Sequence, residues 1–150
     1  MVESLYLDLK ARPDLEVISR LVDPGHRVLD LGCGDGIFLK MLREKRGAEV
    51  LGMEISQVEI AKCIANGVPV IQSDLDDDLD FAEDGSFDLV ILSQTLQQMR
   101  RPDRLLRRLV RVGKRGAVSF INFGHFHCRW QLMLAGSMPR TTQIPYQWYN

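Results

Sequence analysis

The sequence lacks the features that mark secreted and membrane proteins. It has only three cysteines, Cys33, Cys63 and Cys128, which form no CxxC pair and no disulfide framework, so a reducing cytoplasm is the expected location. No apolar run approaches the ~20 residues that span a bilayer. The acids near the N-terminus also do not fit a signal peptide. These absences exclude a disulfide-stapled, secreted or membrane-spanning protein.

An excess of charge of one sign is also lacking. Nineteen Lys and Arg residues against twenty Asp and Glu residues give a formal net charge of -1. The net charge therefore indicates neither a nucleic-acid partner nor an anionic membrane. What the chain has is 45% hydrophobic residues, which is enough to bury the core of one domain over residues 1–150.

Short apolar runs alternate with longer stretches of helical period, and this pattern predicts βαβ units with a mostly parallel sheet. We expect helices on both faces of the sheet, and a capping box at Ser56 in which Glu59 reaches back to the serine amide. The predicted strands cover residues 27–31, 48–55, 68–72, 87–93 and 117–121, and the main predicted helices begin at residues 13, 37, 57, 102 and 127, with a short one over 95–99.

A glycine-rich turn after the first predicted strand is the strongest local signal. Residues 28–36 read VLDLGCGDG, so the glycines run GxGxG rather than in the GxGxxG spacing of a dinucleotide fingerprint. Asp30 precedes the glycines, and its carboxylate would repel a pyrophosphate but suit an ammonium or sulfonium group. A plain structural connection is the alternative for a GxG turn taken alone.

Two further acids end the next two predicted strands. Glu54 is placed to accept hydrogen bonds from the vicinal hydroxyls of a ribose, and Asp74 from an adenine amino group. Because the carboxyl ends of parallel strands share one edge, Asp30, Glu54 and Asp74 are expected to meet there. Together with the glycine turn they predict an adenosine-containing ligand.

These motifs resemble those of class I methyltransferases, which bind S-adenosylmethionine, and most closely the MetW family of methionine biosynthesis. The later segments RGAVSFINFGH (115–125) and PYQWY (145–149) carry the more specific part of the resemblance. The fold that it implies is α/β and Rossmann-like. That class usually has seven strands ending in an antiparallel hairpin, so we expect this chain to lack the final C-terminal strands.

The resemblance also implies roles for individual residues. The glycines would form the turn around the methionine end of S-adenosylmethionine or S-adenosylhomocysteine, while Asp30 orients its amino group. Glu54 would hold the ribose, and the Ser93 carbonyl would meet the methionine ammonium. The full set of implied cofactor-binding residues is Asp30, Gly32, Gly34, Gly36, Glu54, Ile55, Asp74, Leu75 and Ser93.

Candidates for catalysis are few. His125 is a weak candidate for a general base, together with His127, and the alternative is that both histidines only hydrogen-bond a loop. Cys33 is either a nucleophile of low pKa or, more often in such turns, a small buried filler. The segment 93–99, where an acceptor would be held, offers amides and hydroxyls but no carboxylate or histidine.

Two charged segments have simpler explanations. The acids Asp76, Asp77, Asp78 and Asp80 do not follow the spacing of a calcium loop, so we expect a solvated loop and no metal. Eight of the nineteen basic residues lie within residues 100–115, where they are expected to form the outer face of an amphipathic helix. An acidic protein partner or a bound anion is the alternative for this basic segment.

Two functions remain open. The MetW resemblance implies an accessory or regulatory protein that binds S-adenosylmethionine and associates with homoserine O-acyltransferase. The alternative is an S-adenosylmethionine-dependent methyltransferase of small molecules, because a fold alone does not determine function. The sequence gives neither a methyl acceptor nor an oligomeric state.

Overall fold

Five parallel strands form the sheet in the computed structural model, which describes residues 12–76 and 82–137. The strands are β1 (Arg27–Leu31), β2 (Glu49–Glu54), β3 (Val70–Gln72), β4 (Leu89–Ser93) and β5 (Gly116–Ser119). The strand order is β3-β2-β1-β4-β5, and each neighbouring pair is parallel. The predicted α/β architecture is confirmed. The aromatic segment 145–149 and Asp77 to Asp80 lie outside the described residues.

Helices follow β1, β2 and β4 as predicted, with small differences at the ends of the elements. The predicted third strand begins two residues late, at Val70, because the Val68 amide still donates to the Cys63 carbonyl at the end of the preceding helix. The fourth begins at Leu89, since Phe87 forms only an isolated bridge to Gly113. The helices are α1 (Pro13–Ser19), α2 (Ile37–Arg46), α3 (Gln57–Ala65), α4 (Pro102–Val112) and α5 (Phe126–Ala135), with a 3-10 turn at Leu96–Gln98.

Helices cover both faces of the sheet, as the side-chain alternation along β1 shows. Val28 belongs to the core on one face, whereas Leu29 and Leu31 belong to the core on the other, and all three are fully buried. Burial of one such side chain stabilises the fold by about 1.5–3 kcal/mol. Among helix residues, the first face packs Ile18, Leu39, Leu42 and Cys63, and the second packs Leu105, Leu109 and Val112.

The strand order fixes where a ligand site is expected. The chain proceeds from β1 outward to β3 on one side and then returns to β4 on the other side of β1. Open α/β sheets bind ligands outside the carboxyl ends of the strands at such a reversal point. The helices within residues 12–76 and 82–137 are too short or too polar to cross a bilayer.

Candidate ligand-binding site

A cavity of about 750 Å³ lies at the carboxyl edge of the sheet, beside β1 and β4. Parallel pairing brings the ends of β1, β2, β3 and β4 to this one place, so residues far apart in sequence share its walls. Of the predicted binding residues, the structure brings together all except Gly36. The cavity is lined by Asp30, Gly32, Gly34, Glu54, Ile55, Asp74, Leu75 and Ser93, among others.

The glycine turn is shaped by close packing as well as by backbone conformation. Gly32 has a left-handed φ of 83°, and a Cβ there would come within 2.8 Å of the Thr95 hydroxyl oxygen. Gly36 also has a positive φ, and its Cβ would meet the Cys63 sulfur at 2.9 Å. The absence of a side chain at Gly36 therefore allows close packing against α3, and Gly36 itself does not line the cavity.

Asp30 is the buried charged group of the site. Its side chain is 4% exposed, and Oδ1 has no hydrogen-bond partner among the described residues. Burial, opposed by the charge of Arg12 and reinforced by the charge of Glu54, raises the pKa of Asp30 to about 7. A buried carboxylate oxygen without a donor is costly. A cationic ligand group in the cavity would provide the missing donor.

Glu54 holds the glycine turn through backbone amides. Its Oε2 accepts from the Gly34 amide at 3.0 Å, and its Oε1 accepts from Ile55 and Ser56, each at 2.9 Å. The predicted capping box is therefore only half right. Ser56 does accept from the Glu59 amide, but Glu54 takes the serine amide that Glu59 was expected to bind. Glu54 lies only two residues before Ser56, so its carboxylate reaches the Ser56 amide locally.

Ile55, Asp74 and Leu75 form the end of the cavity beside β2 and β3. The Ile55 side chain is 58% exposed and lines the cavity, so it presents an apolar surface there, while Leu75 is buried in the core. Asp74 Oδ1 accepts from the Asp76 amide at 3.0 Å, which fixes the turn after β3. This end therefore combines an apolar surface with a carboxylate.

The wall after β4 is neutral. Gln94 has a φ of 52°, an unusual left-handed conformation for a residue other than glycine. Its carbonyl accepts from the side-chain amides of Gln97, at 2.6 Å, and Gln98, at 3.4 Å. The Ser93 carbonyl accepts from the Thr95 hydroxyl at 3.0 Å. Residues 93–99 thus turn their polar groups largely toward one another.

Three residues of the site were missed by sequence reasoning. Arg12 lines the cavity and forms an ion pair with Asp14, and Ser119 Oγ donates to Asp14 from the end of β5. These contacts join positions as many as 105 residues apart, which no local pattern reveals. The available signal was the proline at the start of α1, which places a basic and an acidic residue on either side of a helix N-terminus.

The candidates for catalysis differ in whether they line the cavity. His125 precedes α5 and stacks on His127, with 5.8 Å between ring centroids, and neither imidazole lines the cavity. Cys33 lines it, but burial raises the pKa of its thiol, and its sulfur lies 3.7 Å from that of Cys63. Cys33 therefore acts as a buried packing residue, and the alternative of a low-pKa nucleophile is wrong.

The strand order, the glycine turn and the acidic strand ends define a Rossmann-like class I methyltransferase fold. A solved S-adenosylmethionine-dependent methyltransferase from Mesorhizobium loti is similar, with a TM-score of 0.59 and 32% identity. That similarity covers 67% of this chain and 47% of the solved one.

Sequence comparison identifies the family. A family described as "Methionine biosynthesis protein MetW" matches residues 12–150, so the chain belongs to the MetW family, as the motifs predicted. The bifunctional methionine biosynthesis protein MetXA/MetW of Rhodopirellula baltica is 31% identical over 95% of this chain. A ubiquinone biosynthesis O-methyltransferase of Hahella chejuensis is 33% identical over 66% of it. The matches span only 24% and 43% of those two relatives.

Proposed function

We propose that this protein binds S-adenosylmethionine or S-adenosylhomocysteine and supports homoserine O-acyltransferase as an accessory partner in methionine biosynthesis. Asp30 supports the proposed ligand most directly, because it is a buried carboxylate beside the glycine turn whose Oδ1 has no hydrogen-bond partner in the described part of the chain. An ammonium group at this position would satisfy the oxygen and neutralise the charge in one step.

The remaining residues fit the other parts of the ligand. Among residues 12–76 and 82–137, Glu54 Oε2 accepts from the Gly34 amide alone, and a carboxylate oxygen has two lone pairs, so it retains capacity for a ribose hydroxyl. Ile55 and Leu75 would pack on the adenine ring, with Asp74 accepting from its amino group. Bound S-adenosylmethionine would supply a methyl group activated by a sulfonium.

The partnership rests on the family and on one relative. The name of the Rhodopirellula baltica protein joins MetXA and MetW in one polypeptide, which supports a physical association of the two functions. Fusion gives two modules a high effective concentration for each other. Binding of an adenosyl compound to this domain would change the partner only if the domain's affinity for that compound differs between the free and partner-bound states.

A methyltransferase of small molecules is the second candidate. The similarity to a ubiquinone biosynthesis O-methyltransferase favours it. Methyl transfer from a sulfonium is an in-line displacement, which is accelerated by positioning alone when the acceptor is already nucleophilic. The neutral wall of residues 93–99 is compatible with such an acceptor.

Reconstitution with homoserine O-acyltransferase tests the proposal. We expect the two full-length proteins to co-purify, acyl transfer to rise when this protein is added, and calorimetry to detect S-adenosylmethionine or S-adenosylhomocysteine. Acyl transfer is then measured with and without each ligand. An acyl-transfer rate that is the same with and without this protein would contradict the accessory role. Ligand binding accompanied by methylation of an added thiol or amine would favour the second candidate.

A further inference from the structure

We propose that Cys33 and Cys63 form an oxidation site, at which a hydroperoxide such as hydrogen peroxide joins the two thiols in a reversible disulfide that loosens the glycine turn. The formation of this bond does not depend on the adenosyl ligand. Its consequence for ligand affinity rests on the proposed function, so the two are tested by separate measurements.

The two thiols lie in contact between the glycine turn and α3. Cys33 follows Gly32 in the turn and Cys63 lies in α3, yet their sulfurs are 3.7 Å apart. Both side chains are buried, with exposed fractions of 8% and 0%. A disulfide bond is about 2.0 Å long, so a small approach of the two sulfurs is enough to form it.

Two glycines make room for the sulfurs. Gly52, on β2, lies directly against the Cys33 sulfur, and a Cβ at Gly36 would come within 2.9 Å of the Cys63 sulfur. The Cys33 backbone is also fixed, because its amide donates to the Met53 carbonyl at 3.0 Å. The contact between the thiols is therefore set by the packing of the turn, β2 and α3 against one another.

Only one of the two sulfurs can be reached from the cavity. Cys33 lines the cavity, whereas Cys63 does not, so a peroxide that enters meets Cys33 first. Burial, together with the charge of Asp30, raises the pKa of the Cys33 thiol, which makes this first reaction slow. Its product is then trapped, because the second thiol is already in contact with it. A ligand in the cavity would cover Cys33 and protect it.

The oxidation takes two steps. The Cys33 thiolate attacks a peroxide oxygen, so an S–O bond forms, the O–O bond breaks, and hydroxide leaves and takes up the proton that the thiol released. The Cys63 sulfur then attacks the Cys33 sulfur, the S–S bond forms, and the S–O bond breaks as water departs with the Cys63 proton. The two thiols lose two electrons and two protons, and one hydrogen peroxide becomes two waters.

The loss of the Cys63 proton links this oxidation to the glycine turn. In the reduced protein the Cys63 thiol donates to the Gly34 carbonyl at 3.0 Å, while the Gly34 amide donates to Glu54 at 3.0 Å. A disulfide sulfur has no proton to donate, so the Gly34 carbonyl loses this hydrogen bond as Cys33 is drawn towards α3. Because Gly34 lines the cavity, the oxidised turn is expected to hold an adenosyl ligand less tightly.

Peptide mapping without a reductant tests the site. After treatment of the unliganded full-length protein with hydrogen peroxide, we expect mass spectrometry to find a Cys33–Cys63 disulfide, with Cys128 left as a thiol. The Gly34 amide is expected to exchange its hydrogen faster in the oxidised protein. Affinity for S-adenosylhomocysteine is expected to fall about 10-fold, as the loss of one buried hydrogen bond implies. Dithiothreitol should reverse all three changes.

Two serine substitutions provide the matched comparison. Cys63→Ser keeps a hydroxyl that can donate to the Gly34 carbonyl but removes the second thiol. In this variant Cys33 should stop at a sulfenic acid that dimedone labels, and no disulfide should form. Cys128→Ser removes the third buried cysteine, which lies in α5, and should form the disulfide as the wild type does.

Each outcome bears on a separate part of the inference. Absence of the Cys33–Cys63 disulfide from the folded, peroxide-treated protein would overturn it. A disulfide that leaves the exchange of the Gly34 amide unchanged would overturn the effect on the turn. An equal loss of affinity in peroxide-treated Cys63→Ser would overturn the role of the disulfide. Failure of the reduced protein to bind S-adenosylhomocysteine would contradict the proposed ligand, while peptide mapping and amide exchange would still decide the inference.

Discussion

The two rims of the cavity differ in the chemistry of the side chains that form them. On the rim of β1, β2 and β3, the carboxylates of Asp30, Glu54 and Asp74 reach the cavity, and backbone amides hold two of them. On the rim after β4, neutral groups hydrogen-bond to one another, and Gln94 is held in a left-handed conformation. The first rim is therefore marked by its acidic side chains. The second rim is marked instead by local hydrogen bonds and by the unusual backbone conformation of Gln94.

The largest effect is expected from Asp30→Asn, which removes the buried charge from the first rim. Affinity for S-adenosylhomocysteine should fall by about 100-fold or more, because an ammonium would be buried without its counter-charge. The E49Q variant, in which an exposed acid at the start of β2 is neutralised, is the matched control and should bind normally. Wild-type affinity of Asp30→Asn in calorimetry would show that Asp30 does not contact the ligand.

The same variant is expected to be more stable than the wild type at high pH. Because the pKa of Asp30 is raised from 3.8 to about 7 on folding, the unfolded chain ionises first as pH rises. The wild-type free energy of unfolding should therefore decrease between about pH 4 and pH 7, by on the order of 4 kcal/mol. Asp30→Asn lacks this decrease, so urea titrations should separate the two proteins at pH 8 and bring them together near pH 4.

A smaller effect is expected where the two rims touch, at Gly32 and Thr95. Gly32→Ala combines a left-handed backbone with a close approach to Thr95, and should lower the free energy of unfolding by about 2–3 kcal/mol. Adding Thr95→Ala should recover the steric part and leave about 1–2 kcal/mol of backbone strain. A double-mutant cycle that includes Thr95→Ala alone measures this coupling, and strictly additive effects would contradict the contact.

The smallest effect is expected on the second rim itself. Gln94→Gly should raise the free energy of unfolding by about 1 kcal/mol, because glycine adopts a positive φ without the strain that other residues carry. Gln98→Gly, in the adjacent 3-10 turn, provides the control and should lower stability by about 0.5–1 kcal/mol. Equal losses in both variants, measured by urea unfolding, would show that the Gln94 backbone is not strained.

The charged rim could be predicted from sequence because its signals are local. An acid that ends a strand, or a glycine that follows one, is recognisable from a few neighbouring residues, and parallel pairing then brings Asp30, Glu54 and Asp74 together. Even there, the local pattern does not reveal that a Cβ at Gly36 would meet Cys63 on another helix, and Gly36 does not line the cavity.

The opposite rim could not be predicted to the same extent. Ser93 was singled out for its carbonyl, yet its hydroxyl joins Arg12 and Asp14, which are 81 and 79 residues away. The periodicity of the sequence also predicted α5. It did not predict which of its side chains are buried, and the large aromatic side chains of Phe126 and Trp130 are exposed. Such contacts depend on the packing of whole elements, which periodicity does not specify.

The raised pKa of Asp30 has a consequence for the heat of binding. Because burial raises the pKa of this carboxyl to about 7, part of the unliganded protein carries the proton near neutral pH. A cationic ligand that requires the ionised form would expel that proton into the solvent, where the buffer takes it up. Tris and phosphate differ widely in their heats of protonation, so the apparent enthalpy would depend on the buffer although the affinity did not. The number of protons released on ligand binding would therefore report the ionisation of Asp30 without any substitution in the protein.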